Sequence, residues 1–196
     1  MNISAFRAIA VCMALFPAAS LAAEAGAPVQ IEPTIQDYAK LFTQKLSKKF
    51  FVGDVVDKRQ NAGSDSVGAT RTGRFEMSPL LCKPLPSAIL QQSLAGMLRE
   101  LGALAEDRNS ADFLVDAELL EYGLEETNKV FSQQIKATLK FRVMIKTTES
   151  GALVNQFVIR AEDSRSAIDT TPFAVKVAAN AMASGLQNLL ESLAAL

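Results

Sequence analysis

From Ile135 to Ala161 the chain alternates apolar and polar residues with a period of two. Ile135, Ala137, Leu139, Phe141, Val143 and Ile145 share one face of the first arm. Lys136, Thr138, Lys140, Arg142 and Lys146 fall on the other. A strand turns successive side chains to opposite faces, so the pattern describes a hairpin with one buried and one wetted side. Glu149, Ser150 and Gly151 supply its turn. The apolar face requires a cover, and the rest of the chain has to provide it.

Two segments fit that role. After Ser87, read as an N-cap, Ile89, Leu90, Leu94, Met97, Leu98 and Leu101 form one helical stripe that Gly102 ends. A longer helix follows Thr170 or Thr171 as cap and Pro172 in its first turn. Val177, Ala178, Ala181, Met182, Gly185, Leu186, Leu189, Leu190 and Leu193 make its apolar face. The small residues among them allow close approach to a sheet. Upstream, residues 34–48 suggest a short amphipathic helix, and Phe50 to Val56 a strand with Gly53 marking a bulge or close approach. Residues 60–73 read as a loop or loose hairpin, and residues 74–82 as an edge strand stopped by Pro79. Phe113, Val115, Ala117 and Leu119 face inward on a further strand, with Asp116 and Glu118 outward. The expected fold class is α+β: a single two-layer sandwich, its sheet mostly antiparallel and its helices packed on one face.

The first residues carry a different signal. Arg7, an apolar run from Ala8 to Phe16, Pro17 and the small residues around Ala22 have the layout of a cleavable secretory signal peptide. The expected organisation is a signal peptide over residues 1–23, a flexible lead-in over 24–33, and one α+β domain over 34–196. Val11 stands where a lipidation motif wants Gly or Ala, so Cys12 is not expected to carry lipid. Cys82 is then alone in an oxidising compartment and reads as a buried thiol between prolines.

The candidate chemistry is sparse. With no histidine in the chain, the commonest general base and the commonest neutral metal ligand are missing. Gly63, Gly68 and Gly73 lack the spacing of a phosphate loop. Asp54, Asp57 and Arg59 at a strand end could serve an enzyme, yet such residues commonly fix loops. Asp116 and Glu118 facing Lys136, Lys140 and Arg142 read as cross-strand pairs. No catalytic residue, cofactor or metal is expected. With a net charge of −1 there is no general pull toward nucleic acid, and membrane contact is at most peripheral.

The stretch from Phe50 to Leu193 resembles the YajG-type lipoproteins and the ABC-transport auxiliary lipoproteins of bacterial envelopes. The resemblance is carried by "FVGDVVDKR" with its glycine-rich insert, the helix "PLPSAILQQSLAGMLRELG", the strand "ADFLVDAELLEYGLEE", the hairpin and the last helix. It implies a periplasmic, non-enzymatic binding or auxiliary module of an envelope transport system, one that handles lipids or other apolar molecules in that group. An envelope protein complex would be its partner, met through Lys136, Lys140 and Arg142. The alternative, from similarity to curli-secretion and envelope-assembly proteins, is a structural subunit of an outer-membrane assembly or secretion complex.

Overall fold

The computed structural model describes residues 26–72, 76–128 and 132–196. The expected signal peptide, Cys12 and Gly73 lie outside them. The seven strands are β1 (Val29–Ile31), β2 (Phe50–Asp57), β3 (Ser66–Arg71), β4 (Met77–Cys82), β5 (Phe113–Asn128), β6 (Gln133–Thr147) and β7 (Leu153–Ala167). The three helices are α1 (Tyr38–Leu41), α2 (Pro86–Glu100) and α3 (Ala174–Leu193). All seven strands join one sheet in the order β1-β4-β3-β5-β6-β7, with β2 also on β5.

The sheet is mixed, which corrects the expectation of a mostly antiparallel one. Among the described residues β3 and β4, β5 and β6, and β6 and β7 run antiparallel. The pairs β1 and β4, β2 and β5, and β3 and β5 run parallel. Parallel partners need a long crossover, and here two strands and α2 separate β2 from β5. Both β2 and β3 lie along the same edge of β5, β2 against Phe113 to Leu119 and β3 at Leu124. Between them the β5 ladder slips by one residue, from Leu119 opposite Phe141 to Glu121 opposite Lys140. That bulge at Leu120 reverses the alternation, so that Tyr122 and Leu124 are buried where Leu119 was.

The helices cover the apolar face. α2 lies over β2 and α3 over β6 and β7. Leu94, Met97, Leu98, Leu186 and Leu189 join Leu139, Phe141 and Ile145 in one core, all of them sealed from solvent. Each such side chain contributes about 1.5–3 kcal/mol by leaving water. Gly185 lets α3 settle on β6: a Cβ there would lie 2.8 Å from Leu139 Cδ2 and 3.1 Å from Phe141 Cε1.

Several local expectations change. Part of the stretch read as a flexible lead-in becomes β1, paired with β4 from Val29 opposite Leu80 to Ile31 opposite Cys82. The helix expected over residues 34–48 shrinks to the four residues of α1. Asp37 before it is left-handed, and Ile35 and Phe42 enter the core one at a time. Residues read as loop form β3. Pro79 sits inside β4 and does not stop it. Met77 O accepts from Gly26 N on the β1 side, and alternation puts Pro79 on that same side. Its missing N–H therefore costs the ladder with β3 nothing. α2 begins at Pro86 with no side-chain cap, so Ser87 lies inside the helix.

Candidate functional site

The helices leave the other face of β5, β6 and β7 to solvent, and the expected partner-binding residues stand there. Register places Val56, Glu118, Arg142 and Val158 in one row across four strands. Arg142 Nη1 donates to Glu118 Oε2 at 2.6 Å, and Lys146 Nζ to Asp116 Oδ2 at 2.6 Å. Lys136 Nζ lies 2.7 Å from Glu162 Oε2, and Arg160 Nη2 lies 3.2 Å from Glu162 Oε1. The Lys136 hydrogen bond is the largest influence on Glu162; with the charges of Lys136 and Arg160 and the Arg160 bond it outweighs desolvation and holds the carboxyl below its usual range.

Cross-strand pairing is thus present with different partners from those expected. Only Arg142 takes a carboxylate of β5 expected for the set. Asp116 stands opposite Met144 and reaches diagonally to Lys146, while Lys136 turns to β7. Lys140 stands between Glu121 and Arg160 in register, and its ammonium forms no pair among the described residues. The three residues share one face, but they differ: two are engaged and Lys140 is uncommitted. Glu162 and Lys146 complete the surface. The alternation of the chain already puts Lys146 on this face, whereas Glu162 is brought there by register.

At the end of β2 the acidic and basic residues build a loop. Arg59, 5% exposed, donates from Nε to Asp57 Oδ1 at 3.0 Å and from Nη2 to Asp57 Oδ2 at 2.8 Å. Nη2 also reaches Ser64 O at 2.7 Å. Gly63 N donates to Asp57 Oδ2 at 3.0 Å. Burial pushes the Asp57 carboxyl up, but the bonds from Arg59 and Gly63 and the guanidinium charge together hold it below its usual value. Both Asp57 carboxylate oxygens and the Arg59 guanidinium are thus engaged within the loop. Asp54 is exposed, and its N–H donates to Asp116 Oδ1 at 3.1 Å. Asp57 and Arg59 hold the chain, while of Asp54 it is the backbone N–H that is engaged.

Glu126, unnoticed in the sequence, ties three segments together. Its Oε2 accepts from Thr70 Oγ1 at 2.7 Å, Thr170 Oγ1 at 2.8 Å and Arg71 N at 3.1 Å. Thr170 and Thr171 therefore do not cap α3, which a short 3₁₀ turn over Thr171–Phe173 leads into. Cys82 is sealed, its thiol pushed up to about 12 chiefly by burial.

Among the described residues no group of three His, Cys, Asp or Glu is placed to hold a metal ion. No described helix is long and apolar enough to cross a membrane. The depressions on the surface are open. One of about 550 Å³ lies between α2 and β2, bordered by Phe51, Val52, Gln91, Ala95, Arg99 and Leu104.

No family model and no curated protein matches the chain. Its fold is similar to that of protein XCC0632 from Xanthomonas campestris, assigned to DUF330. That likeness has a TM-score of 0.52 at 13% identity, covering 87% of this chain and 92% of that one. At that identity the likeness is one of fold. Looser overlays join it to a minor lipoprotein from Acinetobacter baumannii (TM-score 0.45, 13% identity, 78% and 94% covered) and to the PelC dodecamer from Paraburkholderia phytofirmans (TM-score 0.40, 14% identity, 74% and 91% covered).

Proposed function

We propose that this chain is a non-enzymatic auxiliary module of a bacterial envelope transport system, working in the periplasm by docking on another envelope protein. The observation that carries the reading is the open face of β5, β6 and β7. It is a long, open, charged surface that carries ion pairs, with Lys140 left uncommitted. Open charged surfaces suit a protein partner, with charge setting orientation and association rate more than affinity. They do not suit a small ligand, which needs a concave apolar pocket. The signal-like N-terminus supports export. The resemblance to YajG-type and ABC-transport auxiliary lipoproteins supports the envelope, without the lipid anchor of that group. The chain's lack of histidine and its sealed Cys82 fit a protein that performs no chemistry.

Affinity capture from native envelopes tests this. A recurrent transport component, lost with Lys140→Glu, is the expected result. Lys140→Glu is the clean probe because it breaks no ion pair, while Arg142→Glu takes the partner of Glu118 and Lys136→Glu leaves Glu162 with Arg160 alone. A ring-forming or secretion subunit as the recurrent partner would replace this reading with that of an assembly subunit. If the triple charge reversal leaves every captured partner bound, the face is only solvated and the reading fails.

A further inference from the structure

The two ends of the sheet are built differently. At one end β1 is only three residues long, a length that offers little backbone to a stranger. At the other end β7 runs for 15 residues, from Leu153 to Ala167. It pairs with β6 without interruption from Gln133 opposite Ala167 to Ile145 opposite Asn155. Its far edge has no strand beside it among the described residues. At about 3.4 Å per residue this is roughly 50 Å of open backbone donors and acceptors. Several of the usual defences of an edge are missing, although β7 does carry the charges of Arg160, Glu162, Asp163 and Arg165. β7 contains no proline, no glycine and no lysine, and its single register shift is confined to its start. Apolar side chains gather at the same margin: Leu153 is 56% exposed, Val158 52% and Ile168, one residue past the strand, 88%.

We propose that β7 is the seam of a two-fold dimer, pairing antiparallel with β7 of a second copy about an axis through Ala161 and continuing the sheet across both chains. The charge pattern of β7 selects that occupant and that register. An axis normal to the sheet keeps each copy's charged face on one side, so it must pass through a residue position. Centred on Ala161, Arg160 of each copy stands opposite Glu162 of the other, twice over. Centred on Arg160 or on Glu162, the seam would set like charges against each other. With Ala161 at the centre, Val158 meets Ser164 and Gln156 meets Ser166 on the charged face. On the helix face Phe157 meets Arg165, whose guanidinium already lies 4.1 Å over the Phe173 ring. Ile159 meets Asp163, whose carboxylate Asn180 Nδ2 already holds at 3.0 Å. Exposed Leu153 and Val154 of one copy reach Ile168 of the other. The same patch serves both copies, as a closed two-fold interface requires. Backbone bonds supply the affinity, as in strand addition generally.

The test is sedimentation of the purified exported chain at about 100 µM, a concentration that fills a micromolar seam. A dimer is expected. Arg160→Glu and Glu162→Arg should each weaken it about a hundredfold by setting like charges across the seam. Circular dichroism shows that each variant is folded. Mixing the two variant chains restores opposite charges at both positions, and a mixed dimer of wild-type affinity is expected. A monomeric wild type overturns the proposal. So does a dimer that survives both single variants, or a mixture that stays monomeric.

Discussion

Arg59 forks onto Asp57 two residues before it, with both carboxylate oxygens engaged and the pair nearly sealed from water. The guanidinium also gathers the carbonyls of Ser64 and Ser66, so one side chain closes the whole loop between β2 and β3. Removing one partner of a buried pair leaves the other charge stranded, at about 3–5 kcal/mol. Arg59→Ala is expected at the lower end, because Asp57 keeps the amides of Arg59 and Gly63. Arg59→Lys should recover little of that loss, since an ammonium cannot fork. Urea midpoints of the three proteins measure both.

The same pair predicts a pH dependence. The Asp57 carboxyl is held below its usual 3.8 in the folded protein. Its contribution is therefore fully present above the unfolded value and is lost as pH falls through the lower folded one. The stability gap between wild type and Asp57→Asn should stay level from about pH 7 to 5 and close below 3.8. A gap that widened in acid would show that the carboxylate is destabilised by folding.

Gly68 and Gly63 separate two roles of glycine. Gly68 has φ near 145°, and a Cβ on it would collide with the Leu124 carbonyl where β3 meets β5. Gly68→Ala is expected to lose about 2 kcal/mol or more. Gly63 is also left-handed, with φ 77°, but nothing lies within 4 Å of its Cβ position. Gly63→Ala should cost about 1 kcal/mol, from backbone conformation alone. Thermal unfolding of the two variants side by side checks the order.

Cys82 should be silent in the folded protein. Burial and the neighbouring Asp65 raise its thiol to about 12, against a smaller opposing pull from Arg59 than that of burial. The thiolate is the reactive form. For a chain of residues 24–196, whose one cysteine is Cys82, an aromatic disulfide reagent at pH 8 is expected to release no chromophore from the native protein and one equivalent in denaturant. Prompt native reaction would place the thiol within reach of solvent.

The ion pairs of the open face should matter little to stability. Lys136 and Glu162 are each about two-fifths exposed at the side chain, where solvent and salt screen the pair. Lys136→Ala should leave the denaturation midpoint essentially unchanged, so a lost partner could not be blamed on unfolding.

Where local pattern decides structure, the sequence was readable. The alternation from Ile135 to Ile145 is the buried face of β6, and the stripe from Ile89 to Leu98 is the buried face of α2. Gly53 does mark a bulge, between Val52 and Val55. The failures share another cause. Ser66, Gly68 and Thr70 have no apolar alternation to announce β3, whose stability comes from the neighbours it finds. Parallel or antiparallel pairing is a choice between distant segments, and nothing in "FFVGDVV" names its partner. The site divides in the same way. Lys136, Lys140 and Arg142 do share a face, but their acid partners depend on register. The burial of Arg59 inside a glycine-rich stretch had no local sign at all.

The arrangement of β2 bears on the order in which the chain folds. β4 finds β3 close by in sequence and later takes up β1, and the β5-β6-β7 meander closes through short turns. Among the described residues β2 meets Leu104 only at Phe50, and the one strand that pairs along it is β5, whose first residue comes 63 positions after its own. Closing so long a loop is slow, because its entropy must be met before any contact rewards it. Amides of β6 should therefore gain protection from hydrogen exchange early in refolding, and those of Phe51 and Val52 late. Until β5 is in place, the apolar run of β2 waits as an unpaired strand, and a chaperone that holds extended apolar segments would find its site there.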